Sequence, residues 1–369
     1  VLKTLDLEYI AINPASSFRG LHEAIVNHGG NKPELLTCNH EEIAASMAQG
    51  YAKIEGKPMG VMAHGTVGLQ HASMALYNAY CDRVPIYMLI GNILAADKRG
   101  LTAEWQHSAQ DPAMLVRDYL KWDDQPVSLQ HFAESSIRAY QIAVTPPCAP
   151  VLISVDAELQ ENPPAERGLR IPKRGRSSSP IGEAGALAET AKLLVAAENP
   201  VIVADRMART QDGMDRLVEL AELLQCAVVD QGGRTNFPTL HSLNQSVRSR
   251  GAIAQADLIL GLELSDFWTT INQFSDRIHR TSQRIIKPGV KTISIGVRES
   301  RKLKGDYILT ADDLMACRKF DDSIALGNYD IDIHNPEGSG TSHYYFKPGQ
   351  YYTIPYRSLV ASEFDNLLV

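Results

Sequence analysis

The chain of 369 residues has no apolar run approaching the roughly 20 residues that a membrane-spanning helix needs, and no charged-then-apolar leader opens it. It starts on Val1 rather than Met, which is expected of a leader removed or never included. Its five cysteines, at 38, 81, 148, 226 and 317, are odd in number, far apart and without a Cys-x-x-Cys pair. That spacing suggests neither a zinc cage nor a disulfide framework and fits a reducing, cytoplasmic compartment. Long basic runs are missing too: 36 Lys and Arg against 43 Asp and Glu leave a net charge of −7. Neither nucleic acid nor a membrane surface is therefore expected as a partner. No Gly-x-Gly-x-x-Gly follows an apolar run, so the usual phosphate-cradling loop is absent.

What is present is the make-up of a packed globular protein, 44% hydrophobic and long enough for two or three domains. Up to about residue 155, short apolar runs alternate with helical stretches. Tyr9–Ile12, Glu34–Thr37, Gly60–Ala63, Ile86–Ile90 and Val151–Val155 read as strands, with helices near 18–28, 41–53, 68–80 and 130–143. This is the rhythm of a parallel sheet, so residues 1–160 are expected to form a doubly wound domain. Residues 161–185, rich in Pro, Arg, Ser and Gly without periodicity, read as a linker. The rhythm returns over 186–296, with strands at Pro200–Asp205, Ala227–Asp230, Ala256–Gly261 and Lys291–Ile295 and helices at 183–197 and 211–225. A Rossmann-like domain is expected there. From 297 to 369 the texture changes to a charged helix and then Gly-, Pro- and Tyr-rich segments. The expected fold class is thus α/β: two doubly wound parallel-sheet domains and an irregular C-terminal segment.

Glu41 follows a strand and opens a helix, where the dipole and free backbone N–H groups ordinarily favour an acid. Its surroundings say more. Nine positions on comes Gly50-Tyr51-Ala52, then Gly56-Lys57-Pro58, a short strand, His64-Gly65-Thr66-Val67-Gly68, a helix of small residues, and Asp82-Arg83-Val84-Pro85-Ile86 leading to Gly91-Asn92. This order resembles the pyrimidine-binding domain of the thiamine-diphosphate-dependent enzymes, the superfamily of acetolactate synthase, pyruvate oxidase and benzoylformate decarboxylase. The resemblance implies that Glu41 hydrogen-bonds the cofactor's aminopyrimidine ring and promotes the form that deprotonates the thiazolium carbon. A carboxyl group in an apolar pocket that shares a proton with a ring nitrogen meets that demand. Glu42, one residue on, would face elsewhere.

Two further positions resemble the decarboxylase branch. Asn13-Pro14-Ala15-Ser16 is similar to the active-site loop of benzoylformate decarboxylase, which implies Pro14 as a cofactor contact and Ser16 as a ligand of the substrate carboxylate. His64 falls where that enzyme carries a catalytic histidine and would relay protons; a structural histidine closing a strand end is the alternative reading. Gly65 and Gly68 are assigned to backbone approach beside the cofactor. Gln110, in Gln110-Asp111-Pro112, stands near the Phe-Gln-Glu motif of the synthase branch, and His71 and His107 are lesser candidates.

Residues 186–296 resemble the central domain of the same superfamily, including His279-Arg280-Thr281 and the Lys287-Pro288-Gly289 turn. Some relatives hold FAD or a nucleotide effector in that domain; without a phosphate loop, a scaffold is expected here. The superfamily's diphosphate and Mg²⁺ motif, Gly-Asp-Gly followed by Asn, is not found, since Lys304-Gly305-Asp306-Tyr307 lacks the second glycine. No metal ligand is therefore assigned. The implied cofactor is thiamine diphosphate with Mg²⁺, its metal held by a domain outside this chain. The expected activity is that of a lyase or transferase on a small 2-oxo acid, by decarboxylation or acetolactate-type carboligation. It would work as a homo-oligomer or with a partner chain carrying the diphosphate-binding domain; a non-catalytic or half-site subunit is the alternative. Residues 297–369, with Tyr329-Asp330-Ile331-Asp332 and Tyr351-Tyr352-Thr353-Ile354, resemble an internal piece of a family of FAD-dependent oxidoreductases. The dinucleotide fold of that family is missing, so the piece reads as fused or chimeric. A fragment of an FAD-dependent oxidoreductase is the third reading, and FAD binding is not expected.

Overall fold

The computed structural model describes residues 1–92, 107, 109–163, 168–175, 182, 184–276, 278 and 281–297, and the backbone of 329–334. The expected His279-Arg280 pair and the tail motifs at 298–328 and 335–369 lie outside the described residues. The chain divides into two compact units, Val1–Ser178 and Ser179–Val369.

The first unit is built on a sheet of six strands, β1 (Tyr9–Ile12), β2 (Glu34–Thr37), β3 (Met59–Ala63), β4 (Ile86–Asn92), β5 (Trp122–Asp124) and β6 (Val151–Asp156). They pair in the order β2-β1-β3-β4-β6-β5, and every pairing is parallel. β3 and β4 are buried on both faces, which is why they read as unbroken apolar runs rather than alternations. The chain moves outward from β1 to β2 and then returns past β1 to β3. The connections on either side of β1 therefore leave in opposite directions, and a crevice opens at the carboxyl ends of β1 and β3.

Helices α1 (Arg19–Glu23), α2 (Glu41–Glu55), α3 (Thr66–Cys81), α4 (Leu129–Val144) and α5 (Ala157–Glu161) complete this unit. Helix α2 buries Glu41, Ala44, Ala45, Ala48 and Ala52, and α3 buries Gly68, Leu69, Ala72, Ala75, Leu76 and Ala79. Both sets follow helical spacing, and their small side chains let the two backbones approach closely over one face of the sheet. Phe132, Ile137, Tyr140 and Ala143 of α4 cover the other face together with Leu2, Leu5 and Phe18. At its start α4 is capped by Ser128, whose Oγ accepts the His131 N–H at 3.1 Å.

The second unit contains α6 (Ala184–Ala196), β7 (Pro200–Ala204), α7 (Gln211–Leu224), β8 (Ala227–Asp230), α8 (Ser249–Gln255), β9 (Leu258–Leu262), α9 (Phe267–Ile271), a short hairpin of β10 (Asn272–Phe274) and β11 (Ser282–Arg284), β12 (Lys291–Val297) and β13 (Tyr329–His334). Its sheet runs β13-β12-β9-β7-β8. It is parallel except for β13, which lies antiparallel on β12 over six register pairs from Val297–Tyr329 to Thr292–His334. The six described residues of the tail thus form an edge strand, as the alternation in Tyr329-Asp330-Ile331-Asp332-Ile333-His334 permits. Among the described residues no helix is long and apolar enough to cross a membrane.

Candidate cofactor site

Glu41 occupies the first position of α2 and is only 6% exposed, whereas Glu42 beside it is exposed. His40 caps the helix: its Nδ1 accepts the Glu42 N–H at 3.2 Å, and its ring meets that of His71 edge-on with centroids 4.7 Å apart. The cap uses one of the helix's unpaired N–H groups on a neutral imidazole, leaving the Glu41 carboxylate at the positive end of the dipole.

Above Glu41 lies α3, and the contact depends on Gly68. A methyl group at Gly68 would stand 2.8 Å from Glu41 Oε1 and 2.9 Å from His64 Cβ. The glycine therefore leaves the carboxyl group the space it occupies. Three positions earlier, Gly65 packs against the end of β4; a side chain there would run into the Gly91 carbonyl oxygen and come within 3.4 Å of Asn92 Oδ1. The Gly65 N–H is held by Ser17 Oγ at 3.3 Å. The loops after β1 and β3 thus meet the end of β4 at the crevice, with the start of α2 beside them.

Of the expected residues, Glu41, His64, Gly65 and Gly68 are brought together. His64 is half-buried at the end of β3, its ring tilted 32° against that of His107 at 5.4 Å between centroids. Pro14 and Ser16 are exposed on the loop after β1; the neighbouring Ser17 is the buried one, 1% exposed, and makes the contact to Gly65. Gln110 is exposed, just ahead of a short turn at Pro112–Leu115, and His71 is exposed on α3. Asn92 and Ser17 were not singled out by the sequence. A polar residue closing an otherwise apolar strand at the sheet's carboxyl edge is the signal that marks Asn92.

Beside Asn92 a cavity of about 260 Å³ is lined by Asp111, Arg117, Asp123, Asp124, Gln125 and Ser154, among others. Arg117 binds Asp111 through two hydrogen bonds of 2.8 Å and reaches Asp123 as well. Its hydrogen bonds hold the Asp111 carboxyl below the usual carboxylate range. Behind the sheet, burial pushes the Tyr87 hydroxyl far up. Among the described residues no group of three or more metal-type ligands assembles.

In the second unit, the carboxyl ends of β7, β8 and β9 carry Asp205, Asp230 and Glu263. Asn236, fully buried, accepts the Met207 and Ala208 N–H groups on Oδ1 and donates to the Asp205 carbonyl and to Asp230 Oδ1. Asp205 receives the Ser265 N–H at 2.9 Å, and Glu263 receives that of Val297 at 3.1 Å. These groups serve one another, the pattern of a structural network.

A buried carboxylate at a helix start, set against glycine-lined strand ends of a doubly wound sheet, defines a cofactor-binding α/β domain. Comparison with known proteins names the family. Residues 1–115 match the family model described as the thiamine pyrophosphate enzyme N-terminal TPP binding domain, and residues 187–312 match that of the thiamine pyrophosphate enzyme central domain. The chain carries these two domains of the thiamine pyrophosphate enzyme family. Residues 267–369 match a model for FAD dependent oxidoreductases, which overlaps the central-domain match. Benzoylformate decarboxylase of Pseudomonas aeruginosa is 26% identical over 227 residues, 61% of this chain and 42% of that protein. The acetolactate synthase large subunit of Haemophilus influenzae is 23% identical over 308 residues, 80% of this chain and 51% of that one. A solved structure assigned to the thiamin diphosphate-dependent enzymes, from Mycobacterium smegmatis, superposes with a TM-score of 0.59 at 23% identity, covering 71% of this chain and 50% of that one, and shows the shared fold. The chain spans about half the length of these relatives.

Proposed function

We propose that this chain provides the pyrimidine-binding half of a thiamine-diphosphate site that acts on a 2-oxo acid, by decarboxylation or by acetolactate-type carboligation. The observation that carries this reading is Glu41, buried at the start of α2 beneath Gly68. The residues fit the cofactor's ring: an acid deep in the crevice, glycine backbone above it, and a fully buried Asn92 whose Oδ1 has no hydrogen-bond partner among the described residues.

When bound, thiamine diphosphate supplies the nucleophilic carbon and the electron sink for loss of carbon dioxide. Glu41 holds and returns a proton at a pyrimidine nitrogen. The small residues of α2 and α3 exclude water from around it, which strengthens that hydrogen bond. His64, at the open side of the same crevice, moves a proton at the substrate's carbonyl oxygen; Ser16, exposed on the loop after β1, binds its carboxylate. Gln110, exposed just before Pro112, is assigned to the same site. Diphosphate and Mg²⁺ are held by a partner domain. The exposed apolar side chains Ile43 and Met47 on α2, and Val67, Met74 and Tyr77 on α3, support a partner chain at this face, either a second copy or a subunit bearing the diphosphate domain.

The test is to combine the chain with a subunit carrying a diphosphate-binding domain, thiamine diphosphate and Mg²⁺, and to measure turnover of pyruvate and benzoylformate. Glu41→Gln is expected to lower turnover by about 10² or more, the range of general acid–base catalysis. Undiminished turnover in that variant refutes the role of Glu41.

A further inference from the structure

Three side-chain polar atoms around the crevice are buried without a hydrogen-bond partner among the described residues: Asn92 Oδ1, Thr66 Oγ1 and His107 Nδ1. Buried polar atoms are nearly always paired, because leaving one unpaired forfeits its hydration with nothing in return. Asn92 is the most informative of the three. It is 0% exposed, it closes β4 at the carboxyl edge of the sheet, and its amide is oriented by the Nδ2 bond to Ser154 Oγ at 3.0 Å. That bond turns Oδ1 away from Ser154, toward Gly65, where it would stand 3.4 Å from an added methyl group. Thr66 follows Gly65, and the His107 ring lies against that of His64, so all three unpaired atoms flank the same few residues.

We propose that Asn92 is a ligand-contacting residue of this crevice, its Oδ1 accepting a hydrogen bond from an N–H or O–H group of the molecule held beside Gly65. This rests on the reading of the crevice as a pyrimidine site. The donor can come from two sources of the same chemistry: the exocyclic amino group of the aminopyrimidine, or a hydroxyl of the bound acid. Ser154 acts as a positioning residue, because the bond from Nδ2 to its hydroxyl fixes the plane of the amide. Asn92 makes a definite chemical demand. An acceptor locked by a second hydrogen bond discriminates against ligands lacking a donor at that point more strongly than a mobile side chain does.

The experiment is calorimetric titration of the full chain with the aminopyrimidine alcohol that forms half of thiamine, then in its presence with lactate, a small acid whose 2-hydroxyl is a donor, for wild type, Asn92→Ala, Asn92→Asp, Ser154→Ala and Glu41→Gln. If the partner is the pyrimidine amine, Asn92→Ala binds the pyrimidine about tenfold more weakly, the scale of one hydrogen bond to a buried acceptor. If the donor belongs to the acid, only the lactate step weakens. In either case Asn92→Asp, which still presents an acceptor of the same shape, retains affinity within about threefold, and Ser154→Ala loses less than Asn92→Ala. Thermal denaturation run in parallel separates binding from folding, since a merely structural asparagine would lower the midpoint and leave the dissociation constants unchanged. Equal affinities for wild type and Asn92→Ala overturn the proposal, and so does an Asn92→Asp variant as weak as Asn92→Ala. Wild-type binding that ignores Glu41→Gln, or no wild-type binding at all, overturns the pyrimidine-site reading itself, and the role of Asn92 falls with it.

Discussion

Two glycine-to-alanine substitutions in the paired helices α2 and α3 should have opposite signs. In a helix interior alanine is favoured over glycine by about 1 kcal/mol, through the entropy of the unfolded chain and the helical backbone. At Gly50, in α2, nothing lies within 4 Å of the added methyl group, and the backbone is helical. Gly50→Ala should therefore stabilise by about 0.5–1 kcal/mol. At Gly68 the same gain is opposed. The methyl would meet Glu41 Oε1 at 2.8 Å, His64 Cβ at 2.9 Å and Glu41 Cγ at 3.3 Å. The carboxylate can swing aside, but His64 Cβ is one bond from the backbone and moves only with β3. Overpacking of this kind costs about 1–3 kcal/mol, so Gly68→Ala should come out about 1 kcal/mol less stable than the parent. The two variants then differ by about 2 kcal/mol, well beyond the error of matched unfolding curves. Because the chain forms two units, the transition should be followed through Trp122 in β5, with Trp105 and Trp268 replaced by Phe in all three proteins. A Gly68→Ala protein as stable as Gly50→Ala would mean that α3 does not press on Glu41, and the crevice as described would be wrong.

The caps give a second test: Ser128→Ala removes the acceptor for the His131 N–H and should cost about 1 kcal/mol in the first unit, and Thr210→Ala, which frees the Gly213 N–H of α7, a similar amount in the second, both read from urea midpoints. Asp111 is held below the usual carboxylate range by Arg117, so the stability it contributes is present above about pH 4 and is lost as pH falls through its lower native value. Asp111 is about half exposed, which limits the effect to under about 1 kcal/mol; the gap in urea midpoint between wild type and Asp111→Asn should be open at pH 6 and narrow steadily as pH falls below about 4. Iodoacetamide at pH 8 should alkylate exposed Cys81 at least about tenfold faster than Cys226, whose buried thiol is pushed up to about 11, with peptide mapping as the readout.

The α/β class was legible because its central strands are of one recognisable kind. Runs such as Val61-Met62-Ala63 and Ile86–Ile90 are apolar without alternation, as strands covered on both faces must be, and the first is followed by a helix with small residues at helical spacing. What escaped notice was short and polar. Trp122-Asp123-Asp124 is an edge strand of three half-buried residues, too brief for any periodicity, and β10 and β11 are equally short. At the crevice, Glu41, His64, Gly65 and Gly68 could be named because they sit in one ordered motif. Ser17 and Asn92 could not, because their importance comes from the meeting of the loops after β1 and β3 with the end of β4, strands that neighbour one another only through the crossovers.

The same crossovers explain why a crevice so well built is still open. In a doubly wound sheet the connections on either side of the switch diverge, so among the described residues the carboxyl ends of β1 and β3 have no covering element of their own. Here the floor holds an acid, the walls are bare backbone at Gly65 and Gly68, and three polar atoms near Gly65 and His64 are buried without partners among the described residues. Such atoms are costly in a finished binding site and sensible in one that a ligand completes. The neighbouring surface of α2 and α3 has the complementary defect: Ile43, Met47, Met74 and Tyr77 are apolar and exposed. A ligand accounts for the unpaired polar atoms and not for the apolar helix faces; a docked protein surface accounts for the faces and not for the atoms. A cofactor held between this unit and a partner chain accounts for both at once, which is why the half-site reading is preferred to a self-sufficient pocket.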